Sequence, residues 1–162
     1  MTYLEPNNQP YNFKLNLGKG HKAEAWALGF LQGVYLKDNK QIKNVQSYHP
    51  NGYRHDGLKL PDFAIVEDDT IISFCEVKAK AGVNDMLNIS ATDVHHYLKV
   101  AKREGCPVEV IFLCTKDLSV YKLNEKVLRK PTDSMKDRTV LLYDKEKCEL
   151  LFGDMPSDIF QE

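Results

Sequence analysis

The sequence predicts an α/β protein with a mixed central β-sheet flanked by helices. Three observations carry this. Phe63–Val66 and Thr70–Ala79 are two strand-like apolar runs joined by the polar turn Glu67-Asp68-Asp69. Residues 70–114 read strand, helix, strand, the pattern of a parallel crossover. Residues 18 to about 36 carry apolar side chains at helical spacing. At 162 residues, with 43% hydrophobic and 28% charged content, one domain with a substantial core is expected.

In chain order, residues 1–17 are polar, with Pro6 and Pro10, and read as an irregular arm. The helix over 18–36 places Ala23, Trp26, Ala27, Phe30, Leu31 and Val34 on one stripe. Glu24 falls inside that stripe, where a charge is costly unless it is paired or metal-bound. It also suits a first-turn glutamate favoured by the helix dipole. Residues 37–43 read as a polar connection and Val45–His49 as a short first strand. The loop over 50–60 carries Tyr53, Arg54, His55, Asp56 and Lys59, cations and an aromatic that suit a phosphate backbone as well as they suit solvent.

Beyond Lys80, residues 81–89 read as a loop. Ser90 through Asp93 has the form of a capping box, and Val94, Tyr97, Leu98 and Ala101 form one helical face that stops at Gly105. Val108–Cys114 is a nearly continuous apolar run, as expected of a central strand. Ser119–Leu123 and Thr139–Tyr143 read as strands, and Cys148–Phe152 as the hairpin partner of the latter. The basic stretch 126–138 reads as a linker or a nucleic-acid flank, and the acidic tail 153–162 as frayed.

Composition narrows the class further. No apolar run is long enough to span a bilayer, and the N-terminus lacks a signal-peptide pattern, so a cytoplasmic protein is expected, in a host cell if phage- or virus-encoded. Cys75, Cys106, Cys114 and Cys148 are scattered and suit reduced, mostly buried thiols. The net charge of −1 hides a gradient. Residues 1–60 hold eight Lys/Arg against four Asp/Glu, and residues 132–162 hold four against eight. A basic N-terminal side is compatible with one phosphate backbone.

The chemistry concentrates at Leu60–Lys80. Side chains alternate along a strand, so Glu76 and Lys78 share a face, and Asp62, opening the first strand, lies beside the end of the second. Adjacent carboxylates repel, and a hard cation such as Mg²⁺ or Mn²⁺ relieves that repulsion. A surface hairpin with a Glu–Lys pair would show the same E-x-K, but would not require an upstream Pro-Asp with 13 residues between Asp62 and Glu76.

Pro61-Asp62 followed by Glu76-Val77-Lys78 resembles the PD-(D/E)XK nuclease superfamily, whose core is the restriction-endonuclease-like fold, αβββαβ. The resemblance covers about residues 18–116, leaving 117–162 as C-terminal additions, and is closest in style to Holliday-junction resolvases and small phage or plasmid nucleases. It implies a metal-dependent nuclease, a DNA endonuclease foremost. Asp62, Glu76 and Glu24 would be metal-binding acids, the Val77 carbonyl a further ligand, and Lys78 the residue that positions water. His21, Lys22, Arg54, His55, Lys59, Lys80 and Lys99 would contact nucleic acid, DNA before RNA, and a homodimer is compatible by analogy. The exonuclease branch carries Q-x-x-x-Y on the following helix; here Asp93 stands in the glutamine position, with Tyr97 in place. Competing readings are an exonuclease or RNA endonuclease of the same superfamily, a non-catalytic nucleic-acid-binding or assembly subunit, and an unrelated α/β protein.

Overall fold

The protein is described by a computed structural model over residues 21–45 and 60–160, without the side chains of residues 21, 24 and 44. Helix α1 (His21–Leu36) leads into β1 (Gln41–Asn44). Strands β2 (Phe63–Glu67) and β3 (Thr70–Lys80) follow as a hairpin. Its two-residue turn places Asp68 and Asp69 at φ 50° and 61°. Left-handed pairs of this kind match the twist of the flanking strands, and Asp tolerates them better than most residues. Next come β4 (Leu87–Ser90), α2 (Ala91–Glu104), β5 (Val108–Cys114), β6 (Ser119–Leu123) and the short α3 (Glu125–Leu128). Strands β7 (Asp133–Ser134), β8 (Val140–Tyr143) and β9 (Glu149–Gly153) complete the chain, with a 3₁₀ turn before β9 and another at Ser157–Phe160.

Six strands form the main sheet in the order β1-β2-β3-β5-β6-β9. Only β3 and β5 run parallel, joined by the crossover through α2. Strand β5 is nearly continuous in apolar residues because both faces of the sheet are covered there, whereas β3 turns polar at Glu76, Lys78 and Lys80. One face packs Ala23, Ala27 and Leu31 of α1 against Phe63, Ile65, Cys75 and Val77. The other packs Val94, Tyr97, Val100 and Ala101 of α2 against Ala64, Phe74, Val108, Val110 and Phe112. Helix α2 is well bounded: the Ser90 hydroxyl accepts from the Asp93 N–H at 3.0 Å, and Gly105 closes the helix at φ 71°.

Four segments differ from the sequence reading. The first strand is Gln41–Asn44 rather than Val45–His49; Ile42 turns into the core from this strand, Val45 is buried just beyond it, and residues 46–49 lie outside those described. Within the expected loop 81–89, Leu87 and Ile89 are both fully buried, and this two-residue period makes β4. The expected hairpin between Thr139–Tyr143 and Cys148–Phe152 is not made. Strand β8 pairs with β4 and β7 in a three-stranded second sheet, whereas β9 pairs with β6. The turn between them is held by Lys145, which reaches Asp85 and Asp117 at 3.0 Å each and ties it to the turn that precedes β6. The tail is not frayed through its described length: Met155 is buried, its N–H reaches the Leu118 carbonyl at 2.8 Å, and Ile159 and Phe160 pack on the α1 side.

Candidate active site

Asp62 sits in the bend that leads into β2, one step before the ladder begins at Phe63↔Cys75. Its backbone N–H donates to Glu76 Oε1 at 3.1 Å, and its Oδ2 accepts from the Val77 N–H at 3.4 Å. The two contacts lock the first acid against the E-x-K strand. Strand pairing fixes the side of each group. The Phe74 N–H reaches Pro107 and the Lys80 carbonyl accepts from Thr115, so the even-numbered residues of β3 direct their backbone groups toward β5. A residue's N–H and C=O leave a strand on the same side. The Val77 carbonyl therefore points off the edge where β2 has ended, the edge that Asp62 occupies. Glu76, Lys78 and Lys80 share the α2-facing side of the sheet, while Cys75 and Val77 pack on the α1 side.

Electrostatics mark the carboxylate pair. Burial, then the Asp62 charge and a hydrogen bond between the two carboxyl groups, push the Glu76 pKa well above the ordinary carboxylate range; Lys78 and the Asp62 N–H oppose this and do not win. The Lys78 ammonium lies 3.1 Å from Asp93 Oδ2. Burial pulls its pKa down, but Glu76, Asp93 and Asp62 together raise it, so Lys78 is a cation at neutral pH. Lys80, two residues on, has its pKa lowered by burial and by Lys78, with Asp93 opposing, and donates to the Asn88 carbonyl at 3.4 Å.

Helix α2 closes the cluster from above. Asp93 and Tyr97 are one turn apart on the face toward β3. The Tyr97 hydroxyl is buried without a geometrically complete hydrogen bond. Burial first, then Glu76 and Asp93, push its pKa far up, so Glu76 lies within its electrostatic reach. Neither Asp93 nor Tyr97 stood among the expected site residues. The signal for both was present in their spacing of four on the helix that follows E-x-K.

The other expected residues fall as follows. Glu24 lies on α1, but its side chain, like that of His21, is outside the described residues. Arg54, His55 and Lys59 are outside them altogether, as are Tyr53 and Asp56. Lys22 is exposed on α1. Lys99 is exposed on the opposite side of α2 from Asp93 and Tyr97, beside His95, Lys102 and Arg129, and does not join the cluster. On the α1 face of the sheet Glu109 and Lys122 pair at 2.9 Å, a separate ion pair that neutralises itself.

The residues present suit a hard divalent cation. Two oxygen-donor side chains are held together at the cost of a raised Glu76 pKa, and a backbone carbonyl points to the same edge. Among the described residues no three His, Cys, Asp or Glu side chains gather, so the pair by itself could supply only part of a cation's shell. Mg²⁺ is commonly bound by one or two carboxylates, with water and substrate phosphate completing its shell.

The order of helices and strands and the six-stranded mixed sheet are those of the restriction-endonuclease-like fold. Among solved structures the chain is similar to Hjc, a Holliday junction resolvase from the archaeal hyperthermophile Archaeoglobus fulgidus. The two share a TM-score of 0.51 at 15% identity, over 75% of this chain and 90% of that one. At that identity the likeness establishes the fold. No protein-family model and no curated protein matches the chain. No described helix is long and apolar enough to cross a membrane.

Proposed function

We propose that the protein is a divalent-metal-dependent nuclease that hydrolyses phosphodiester bonds, with DNA its substrate. The single observation that carries this is the interlock of Asp62 with the Glu76-Val77-Lys78 strand at the edge where β2 stops. The fold shared with a Holliday junction resolvase is consistent with it.

In this reading Asp62, Glu76 and the Val77 carbonyl hold Mg²⁺ or Mn²⁺, with Glu24 a further acid. The bound cation would make a coordinated water more acidic and offset charge on the phosphoryl group. The chain's own contribution is placement. Lys78, held cationic by three carboxylates, does not accept the proton from water. It orients the nucleophile and stabilises charge that develops on the phosphate oxygens. Lys80 extends the positive edge on the same face of β3, and Lys22, with His21, Arg54, His55 and Lys59, supplies cations for the phosphate backbone. Lys99 would serve a more distant stretch of the backbone. A homodimer would present two such sites to one nucleic acid.

Incubation with supercoiled plasmid, linear duplex, single strand, a four-way junction and RNA, each with Mn²⁺ or EDTA, tests the proposal. Metal-dependent cleavage of at least one DNA form, abolished by Glu76→Ala, is expected. An absence of metal-dependent cleavage on all five substrates would leave the non-catalytic reading standing.

A further inference from the structure

Asp93 makes an unusual choice for a residue in a capping box. In the full motif the hydroxyl of the first residue bonds the third helical N–H, and the third side chain returns to the first residue's N–H. Here only the first half forms: the Ser90 hydroxyl accepts from the Asp93 N–H at 3.0 Å. The Asp93 carboxylate leaves its own helix end and reaches the Lys78 ammonium at 3.1 Å. A local contact has been exchanged for one across to β3.

The consequence lies in what else attracts Lys78. Asp62, and Glu76 whenever it is ionised, both attract it. A lysine has a flexible four-carbon stem and a compact charge, so without a competing anchor it would settle onto the carboxylate pair. There it would occupy the position a divalent cation needs. Asp93 supplies the opposing pull from the other side, from a helix terminus fixed by the Ser90 cap and by the Ala91 N–H to Thr139 carbonyl bond of 2.8 Å.

We propose that Asp93 is a positioning residue of this site: it holds the Lys78 ammonium beside the Asp62–Glu76 pair rather than on it. The proposal rests on the nuclease reading for its catalytic consequence, but not for its structural one. Asp93→Asn keeps the capping N–H and shape and removes the pull on Lys78. Because the Asp93 side chain is 40% exposed, the variant should fold.

The test uses the full chain in parallel arms. In the first, ¹H–¹⁵N spectra of the lysine ammonium groups in metal-free protein report where Lys78 sits. Asp93→Asn should shift or broaden the Lys78 signal, and Asp93→Glu should largely restore it. In the second, Mn²⁺ titration should show weaker binding by Asp93→Asn, and this loss should shrink in a Lys78→Ala background. In the third, on whichever DNA the parent cleaves, kcat should fall about 10–100-fold with KM little changed, the scale expected when a catalytic group is misplaced by about 1 Å. An unchanged Lys78 signal overturns the proposal whether or not the protein is a nuclease. Equal Mn²⁺ losses with and without Lys78 also overturn it, since Asp93 would then act on the metal by charge alone. Absence of cleavage by the parent, with the first two arms as expected, refutes the nuclease reading and leaves the Asp93–Lys78 placement intact.

Discussion

Replacing Glu76 by Gln should stabilise the metal-free protein at neutral and alkaline pH. The reason lies in the direction of the Glu76 shift. Burial and the Asp62 carboxylate raise its pKa, and the Lys78 charge together with the Asp62 N–H at 3.1 Å does not offset them. Most structural carboxylates are shifted down and stabilise a fold as pH rises; Glu76 is shifted up, so the sign reverses. Above the unfolded-state value of about 4.3, the unfolded chain has released this proton while the native protein retains it. Stability therefore falls with rising pH from there until the native pKa is passed, and is level beyond. The glutamine variant has the same shape and no such loss. Each unit of upward shift corresponds to about 1.4 kcal/mol. A single stabilising substitution commonly yields about 0.5–2 kcal/mol. For a 162-residue chain that amounts to a rise in Tm of about 1–8 °C.

The assay is urea unfolding of parent and Glu76→Gln in EDTA from pH 5 to 8.5, repeated with Mn²⁺. The gap between the two should widen with pH in EDTA. With Mn²⁺ at about 100 times its Kd, the parent should gain about 2.7 kcal/mol and the variant much less. Parallel pH profiles in EDTA would refute the electrostatic argument. An equal gain from Mn²⁺ in both proteins would refute Glu76 as a ligand.

Three further outcomes follow from the same geometry. Lys78→Ala should keep or tighten Mn²⁺ binding, because a cation no longer opposes the metal, while nicking falls by roughly 10²–10⁴-fold; calorimetry and plasmid nicking on one preparation check both. Tyr97→Phe removes a buried hydroxyl without a complete hydrogen bond, so urea unfolding should place it within about 1 kcal/mol of the parent, or above it. Met155→Ala should cost about 2–5 kcal/mol, because Met155 is a core residue, whereas truncating a frayed tail would cost almost nothing.

The fold was legible where local pattern and tertiary context agree. The β2–β3 hairpin, the crossover through α2 and the central strand β5 all carry long apolar runs bounded by turn residues, and no alternative partner competes for them. Legibility failed where pairing is decided at long range. Cys148–Phe152 has strand character, but nothing in its own residues says whether β8 or β6 receives it; the Lys145 contacts with Asp85 and Asp117, far away in sequence, bear on that choice. Strand β4 was hidden because a four-residue alternation, Leu87 and Ile89 inward, looks like loop when Gly82, Asn84 and Asp85 precede it. The site was half legible. Asp62, Glu76 and Lys78 are recognisable by residue type and spacing. Asp93 and Tyr97 carry a fainter signal, their spacing of four on the helix after E-x-K, and it is the crossover that brings them over the site.

That placement has a simple geometric origin. A crossover between parallel β3 and β5 brings α2 back along the sheet in the direction opposite to β3, so its first turn lies over the end of β3. One helical turn of four residues rises about 6 Å. Two strand residues advance about 6.6 Å. The helix and the strand therefore stay in step: Asp93 meets Lys78, Tyr97 comes within electrostatic reach of Glu76, and Ala101 and Phe74 lie in the same buried core. Each E-x-K side chain on this face thus meets an α2 residue four positions apart from the next. The match makes the choice of residue at position 93 consequential. Any side chain there is delivered to the lysine, and an aspartate delivers a charge that competes with the carboxylate pair for it.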